Sequence, residues 1–307
     1  MSLTNFPNGI TSFGIPILGS GPILTTGNFF FANSSATNAS DSNPADDKTI
    51  PAATIDGAIG KTTADNGDVV LVMPGHSEDP TSSIALDVAS TWVYGLGWGT
   101  KRPTITFGAL AAAFNISAAG CRVSNLIFDL GTVAATVTNA ITVTAAGVIV
   151  EGCETVPHAT SQFTNHLTAT DVQHVIIRGN RFRTLHTASS TSGVVVDGCD
   201  DIQIIGNEIS GHFSEHALDN TTPAAADEIL RATIAYNYIK NDSTTAGDLA
   251  VQLDSAATGI FAVNMLSGGL ATTAANFDIG NMSSLESYIV DDAGVDVHGI
   301  PLGSAAV

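Results

Sequence analysis

The side chains able to do chemistry in this chain are its carboxylates, a knot of arginines, one spaced pair of histidines and three thiols. Two carboxyl groups roughly 5 to 9.5 Å apart across a groove can split a glycosidic bond, one as acid and the other as base or nucleophile. Asp197, Asp200 and Asp201, followed by Glu208, Glu215 and Asp219, offer such pairs. The chain holds 29 Asp and Glu, however, so neighbours of this kind arise by composition alone, and a solvated acidic face is the simpler account. Eliminative cleavage of an acidic polymer needs a base beside calcium-binding carboxylates. Arg178, Arg181 and Arg183 form the one dense basic cluster, and in so acidic a body they read as counter-charges. His212 and His216, separated by Phe-Ser-Glu and with Asp219 nearby, could converge on a surface metal. The Glu is not adjacent to the first His, so this is not the helical zinc-protease pattern, and ordinary polar loop residues are the plainer reading. His158, His166, His174 and His186 carry no ligand spacing. The glycine run 95–99 (GLGWG) precedes no helix and cradles no phosphate. No cofactor is expected.

What must position these groups is a phrase of nine residues that recurs: 120–128 (GCRVSNLIF), 147–155 (GVIVEGCET), 174–182 (HVIIRGNRF), 201–209 (DIQIIGNEI), 231–239 (RATIAYNYI) and 258–266 (TGIFAVNML). The starts lie 27, 27, 27, 30 and 27 residues apart, the signature of a solenoid whose units bury their apolar face only by stacking. The fourth column reads Val123, Val150, Ile177, Ile204, Ile234, Phe261; the ninth reads Phe128, Thr155, Phe182, Ile209, Ile239, Leu266. Both are apolar or β-branched, as inward ladders on parallel strands require. The seventh column reads Leu126, Cys153, Asn180, Asn207, Asn237, Asn264. Asparagine tolerates a left-handed bend and can hydrogen-bond along a stack, so each coil is expected to turn a corner there. Neither a leucine-rich consensus nor a helical period is visible. The fold class is therefore an all-β parallel β-helix, with 104–107, 114–116, 141–143, 194–196 and 251–253 supplying a further strand per coil.

The composition is that of a folded body, 44% hydrophobic and 13% charged, with a formal charge of −19. Such a surface repels phosphate backbones and anionic membranes, so neither nucleic acid nor membrane is an expected partner. Cys121, Cys153 and Cys199 fall at different coil positions and read as buried, reduced thiols. No signal-type start and no apolar run of membrane-spanning length is present, which points to a soluble protein made in the cytoplasm.

Residues 1–27 read as an extended arm, because prolines at 7, 16 and 22 discourage regular structure. Phe6, Pro7, Phe13, Ile15, Pro16, Ile17 and Leu18 are costly to leave in water, which marks them as attachment residues on another surface or on the chain's own body. Residues 28–66 form a cap, with a first strand and a short helix over 52–64. The solenoid spans 67–293, eight or nine coils, and 294–307 is a terminal cap or tail. Extrapolating the period places Leu96 and Val69 below Val123 in the fourth column, and Tyr288 beyond Phe261, with Asp291 replacing Asn. The 30-residue interval holds the longest connection, 212–223, and insertions of this sort emerge as loops on one face.

In its repeat and its arm the chain resembles right-handed β-helix structural proteins of tailed bacteriophages. The resemblance rests on 5–10 (NFPNGI) with 13–16 (FGIP), 53–59 (ATIDGAI), 67–76 (GDVVLVMPGH), and 95–99 with 102–105 (RPTI), about the first 110 residues, followed by the solenoid. It implies a capsid decoration protein on the virion surface, held to the major capsid protein through its arm, assembled as a homotrimer and lacking catalytic residues. The alternative is a tail spike or fibre that binds or cleaves host polysaccharide. A polygalacturonase-like enzyme would add Gly-His-Gly and Arg-x-Lys on consecutive coils; here His298 lacks the preceding glycine and no Arg-x-Lys occurs.

Overall fold

The computed structural model describes residues 25–110, 112–131, 137–185, 190–220, 228–245, 247–268 and 277–291, together with the backbone of two short strands upstream. They wind as a right-handed parallel β-helix whose three sheets hold ten, nine and eight strands among the described residues. Each strand pairs in parallel with its counterpart one coil away. Val123 sits between Val93 and Val150, Ile177 follows, then Ile204, Ile234 and Phe261. All six predicted members of that ladder are fully buried. Burying one aliphatic side chain of this size is worth about 1.5 to 3 kcal/mol, and a coil alone would leave it half wet. The ladder of the second sheet runs through Ile105, Phe128, Thr155, Phe182, Ile209, Ile239 and Leu266. The third sheet closes the prism through Phe114, Ile141, Leu167, Val194, Leu218 and Val251.

The 27-residue interval holds in the middle and fails toward both ends. Val93, not Leu96, stands below Val123, and Val70, not Val69, stands below Val93. The cause is the corner after Trp92–Gly95, which carries residues 96–103 and a short 3-10 turn, Gly99–Lys101; the corner after Arg122–Ser124 carries only residues 125 and 126. For the same reason Thr104–Phe107 belongs to the second sheet, where Ile105 meets Phe128, and not to the third. At the far end Phe261 meets Ser284 and Leu266 meets Ile289, so Tyr288 does not occupy the fourth place.

The asparagine column forms the expected stack, but not by taking the left-handed bend. Asn207 donates from Nδ2 to Ile177 O (2.9 Å) and to Asn237 Oδ1 (3.0 Å), and its own Oδ1 accepts from the Asn180 backbone N (3.0 Å). Asn180, Asn237 and Asn264 repeat the pattern, and Ser287, not Asp291, receives the last backbone N–H. Positive φ falls one residue earlier, on Asn125, Gly152, Gly179, Gly206, Tyr236, Val263 and Glu286. The bend residue faces out, while the asparagine turns inward and satisfies buried backbone groups.

At the amino-terminal end, Phe29–Ala32 adds a parallel strand beside Val69–Val72. The helix of the cap is shorter than its apolar spacing suggested, only Ile55–Ile59, with Thr54 Oγ1 accepting from Gly57 N at 2.9 Å. Gly57 and Gly60 weaken propagation, and β-branched Thr62 and Thr63 follow. Ile55, Ala58 and Ile59 are buried on the core that would otherwise face water. In the arm, Ile10–Ser12 pairs antiparallel with Ile15–Ile17, a hairpin where an extended segment was expected. A two-stranded ribbon consists only of edges, so Pro16, opposite Thr11, costs no ladder bond on its open side. Phe6, Pro7, Phe13, Leu18 and residues 294–307 lie outside the described residues.

Candidate functional site

The corner between the first and second sheets carries the densest chemistry of the described surface. Adjacent coils bring Ser124, Glu151, Arg178 and Ile205 into one outward row, and Glu154, Arg181 and Glu208 into another. Between them runs the bend row, Gly152, Gly179 and Gly206, with φ of 58°, 60° and 66°. Glycine adopts this conformation without the Cβ penalty. A Cβ at Gly179 or Gly206 would meet nothing within 4 Å, so the glycines leave a bare floor.

Register turns the charged residues into a lattice. Glu151 accepts from Arg122 Nε (2.7 Å), Arg178 Nε (2.7 Å) and Ser124 Oγ (2.9 Å). Burial pushes its carboxyl up, but the hydrogen bonds from Arg178, Arg122 and Ser124 together outweigh that and hold it below its ordinary range. The Arg122 guanidinium lies 4.0 Å above the Trp92 ring, Trp92 Nε1 donates to Ser124 Oγ (2.9 Å), and Tyr94 meets Trp92 edge to face. On the second sheet Glu154 accepts from Arg102 Nη1 (2.9 Å) and pairs with Arg183, while Arg181 Nε donates to Glu208 (2.9 Å). Arg102 Nη2 also reaches the carbonyls of Gly152 (2.7 Å) and Leu126 (3.1 Å), pinning the corner. The counter-charge reading of Arg178, Arg181 and Arg183 thus matches their partners. Two hollows of about 480 and 360 Å³ share the glycine floor, one beside Tyr94, Glu151, Arg178 and Ile205, the other beside Arg102, Glu154, Arg181 and Glu208.

The carboxylates considered for glycosidic cleavage do not gather in this groove, Glu208 excepted. Asp197 and Asp219 are buried on the third sheet, where Asn220 Nδ2 donates to Asp197 (3.3 Å) and Ser192 Oγ to Asp219 (2.9 Å). Asp201 is held by Arg231 at 2.8 Å, which keeps its carboxyl low, and Asp200 shares the same guanidinium at 3.2 Å. Glu215 is exposed. His216 Nδ1 accepts from Leu249 N (3.1 Å), Phe213 plugs the core, and no three His, Cys, Asp or Glu side chains converge as metal ligands among the described residues. Of the residues expected to attach to another surface, Ile15, Pro16 and Ile17 are placed only as backbone of the hairpin.

Two buried polar groups were not legible from the repeat. His166 lies inside the prism, its Nδ1 2.6 Å from Thr155 Oγ1 and its Nε2 3.0 Å from Ser190 Oγ, ringed by Phe163, Phe182 and Phe213. Burial pushes its pKa down to about 3, so the imidazole is neutral. Glu78 under the cap accepts from Ile55 N (2.9 Å) and His76 Nε2 (3.0 Å). The thiols are buried and unpaired; burial pushes Cys153 up to about 11 and Cys199 to about 12, and raises Cys121 as well. Such thiols carry little thiolate and act as small apolar residues.

Among known proteins, no family model and no curated protein matches the chain. Solved structures do. The E502A variant of sacteLam55A from Streptomyces sp. SirexAA-E, in complex with glucose, superposes with a TM-score of 0.49 at 15% identity, covering 77% of this chain and 46% of that one. This chain therefore spans less than half the length of that protein. The pectin methylesterase from Aspergillus niger gives 0.46 at 15% identity over 94% of this chain and 93% of its own. A rhamnogalacturonan lyase gives 0.33 at 11% identity over 85% and 87%.

Proposed function

We propose that the chain is a non-enzymatic virion structural protein, a capsid decoration protein whose amino-terminal arm attaches to the major capsid protein while the acidic β-helix faces solvent. One observation carries this reading: the arm strands Ile10–Ser12 and Ile15–Ile17 form a sheet of their own and join none of the three sheets of the solenoid. An apolar segment with its own hairpin is an attachment element, since the body's hydrogen bonding does not need it. The ion pairs of Glu151, Glu154, Glu208 and Asp201 support a scaffold role, because a carboxylate locked to arginine is a poor proton donor or nucleophile. Deleting residues 1–24 tests the reading: the truncated protein should keep its far-ultraviolet β spectrum and lose co-sedimentation with phage shells. Undiminished binding overturns the arm's role. Light scattering of the full chain should report a trimer.

The alternative of a glycan-directed tail spike or fibre is favoured by the two hollows over the glycine floor. Release of reducing ends or unsaturated products from host polysaccharide would support it over the decoration reading.

A further inference from the structure

The chain has only ten Lys and Arg residues, and five of them, Arg122 and Arg178 on the first sheet, Arg181 and Arg183 on the second and Arg102 at the corner between, stand on one strip. Glu151, Glu154 and Glu208 are the carboxylates they bond, which leaves two cations in surplus on a body of formal charge −19. Asp129, the next carboxylate on the second sheet, lies two coils below Arg183. Stability alone does not call for this concentration, because exposed pairs contribute little and scattering the cations would relieve more repulsion.

We propose that the strip binds an anionic saccharide, a uronate-bearing oligosaccharide lying along the bare glycine row with a carboxylate at Arg178 or Arg181. These two side chains flank Gly179 on either side of the bend and remain 47% and 52% exposed. Their forked donors suit a planar carboxylate. Tyr94 and Ile205 line the neighbouring hollow and supply an apolar face for a sugar ring. An added peptide strand fits less well. The N–H groups of Gly152, Gly179 and Gly206 already donate to Arg178, Ile205 and Ala235, so the floor has no main-chain donors to offer. A nucleic acid would press a phosphate every 3.4 Å or so against an acidic body, whereas a uronate polymer carries fewer charges per length. The site does not depend on how the arm is used.

The test is calorimetric titration of the full chain with hyaluronan hexasaccharide, maltohexaose and an oligo-dT strand. The hexasaccharide should bind, and more weakly as salt rises. Arg178→Gln with Arg181→Gln should weaken it about tenfold or more. Ile205→Glu, which adds a carboxylate to the hollow without breaking an ion pair, should do the same with an unchanged circular dichroism spectrum. Arg231→Gln, outside the strip, should bind as the wild type does. Absent hexasaccharide binding, equal binding of maltohexaose, tighter binding of oligo-dT, or strip variants that bind normally would each overturn the proposal.

Discussion

One corner of the prism bears two different surfaces. From Ser124 to Glu208 it is an ionic lattice over bare glycine, and in the coils that follow the same rows become apolar and aromatic. Glu154, Arg181 and Glu208 are succeeded in register by Tyr238, Met265 and Tyr288; Arg178 is succeeded by Ile205, Ala235, Ala262 and Leu285. In the bend row Tyr236 and Val263 replace glycine. Tyr236, Met265, Leu285 and Tyr288 are all exposed, yet beneath the first two the asparagine stack runs on through Asn237 and Asn264 and the inward ladders through Ile234, Phe261, Ile239 and Leu266, before Ser284 and Ser287 take those places in the last described coil. The inward rows must match their neighbours, whereas the outward rows are free to differ. That freedom is where a solenoid carries its particular chemistry.

The largest expected effect tests the shared interior. Asn207→Leu under the ionic half and Asn237→Leu under the apolar half each strand buried N–H and C=O groups. Each should cost about 3 kcal/mol or more in urea unfolding. Costs that differ by more than about 2 kcal/mol would break the claim that the interiors are equivalent.

Acid should separate the halves. The folded pKa of His166 is lowered to about 3 from an ordinary 6.5, so the unfolded chain binds the proton first. Its contribution is complete above about pH 6.5 and declines by about 1.4 kcal/mol per unit as pH falls toward 3. Hydrogen exchange at pH 4.5 should open the coils around Phe163, Phe182 and Phe213 before those around Leu266, and His166→Gln should abolish the difference.

A smaller effect sharpens the ionic side. Because the Glu151 carboxyl is held low, its stabilisation is present above the ordinary glutamate range and is lost as pH falls through the depressed folded value. Glu151→Gln should therefore cost about 1 kcal/mol at pH 7, discounted for partial exposure, and nothing measurable in strong acid. The smallest change extends the lattice into the apolar half: Met265→Arg should alter stability by less than about 0.5 kcal/mol while lowering uptake of a hydrophobic dye.

How far the sequence could be read depended on the constancy of the interval. Between Val123 and Phe261 the inward fourth- and ninth-column positions were legible, because stacked strands with equal corners repeat side-chain direction along with spacing. Leu96 and Tyr288 were misplaced because the coils at the two ends gain or lose corner residues, and a fixed period carries no information about corner length. The asparagines were assigned the left-handed conformation their chemistry permits, but Gly152, Gly179 and Gly206 already take it, one residue earlier. The arginine pairs were foreseen as counter-charge but not as a lattice, since that needs the register of Glu154 against Arg181 and Glu208. His166 left no signal: a polar residue at an inward place is recognised only when its partners, Thr155 and Ser190, come from neighbouring coils.

The unbroken Asn180 to Asn264 stack has a consequence for how such a chain can change over time. Since each unit recognises only those above and below it, duplication or loss of one segment between equivalent asparagines would move the two ends apart or together by about 4.8 Å without disturbing either. Reach is thus an inheritable quantity with a fixed step, adjustable independently of whatever is written on the outer rows.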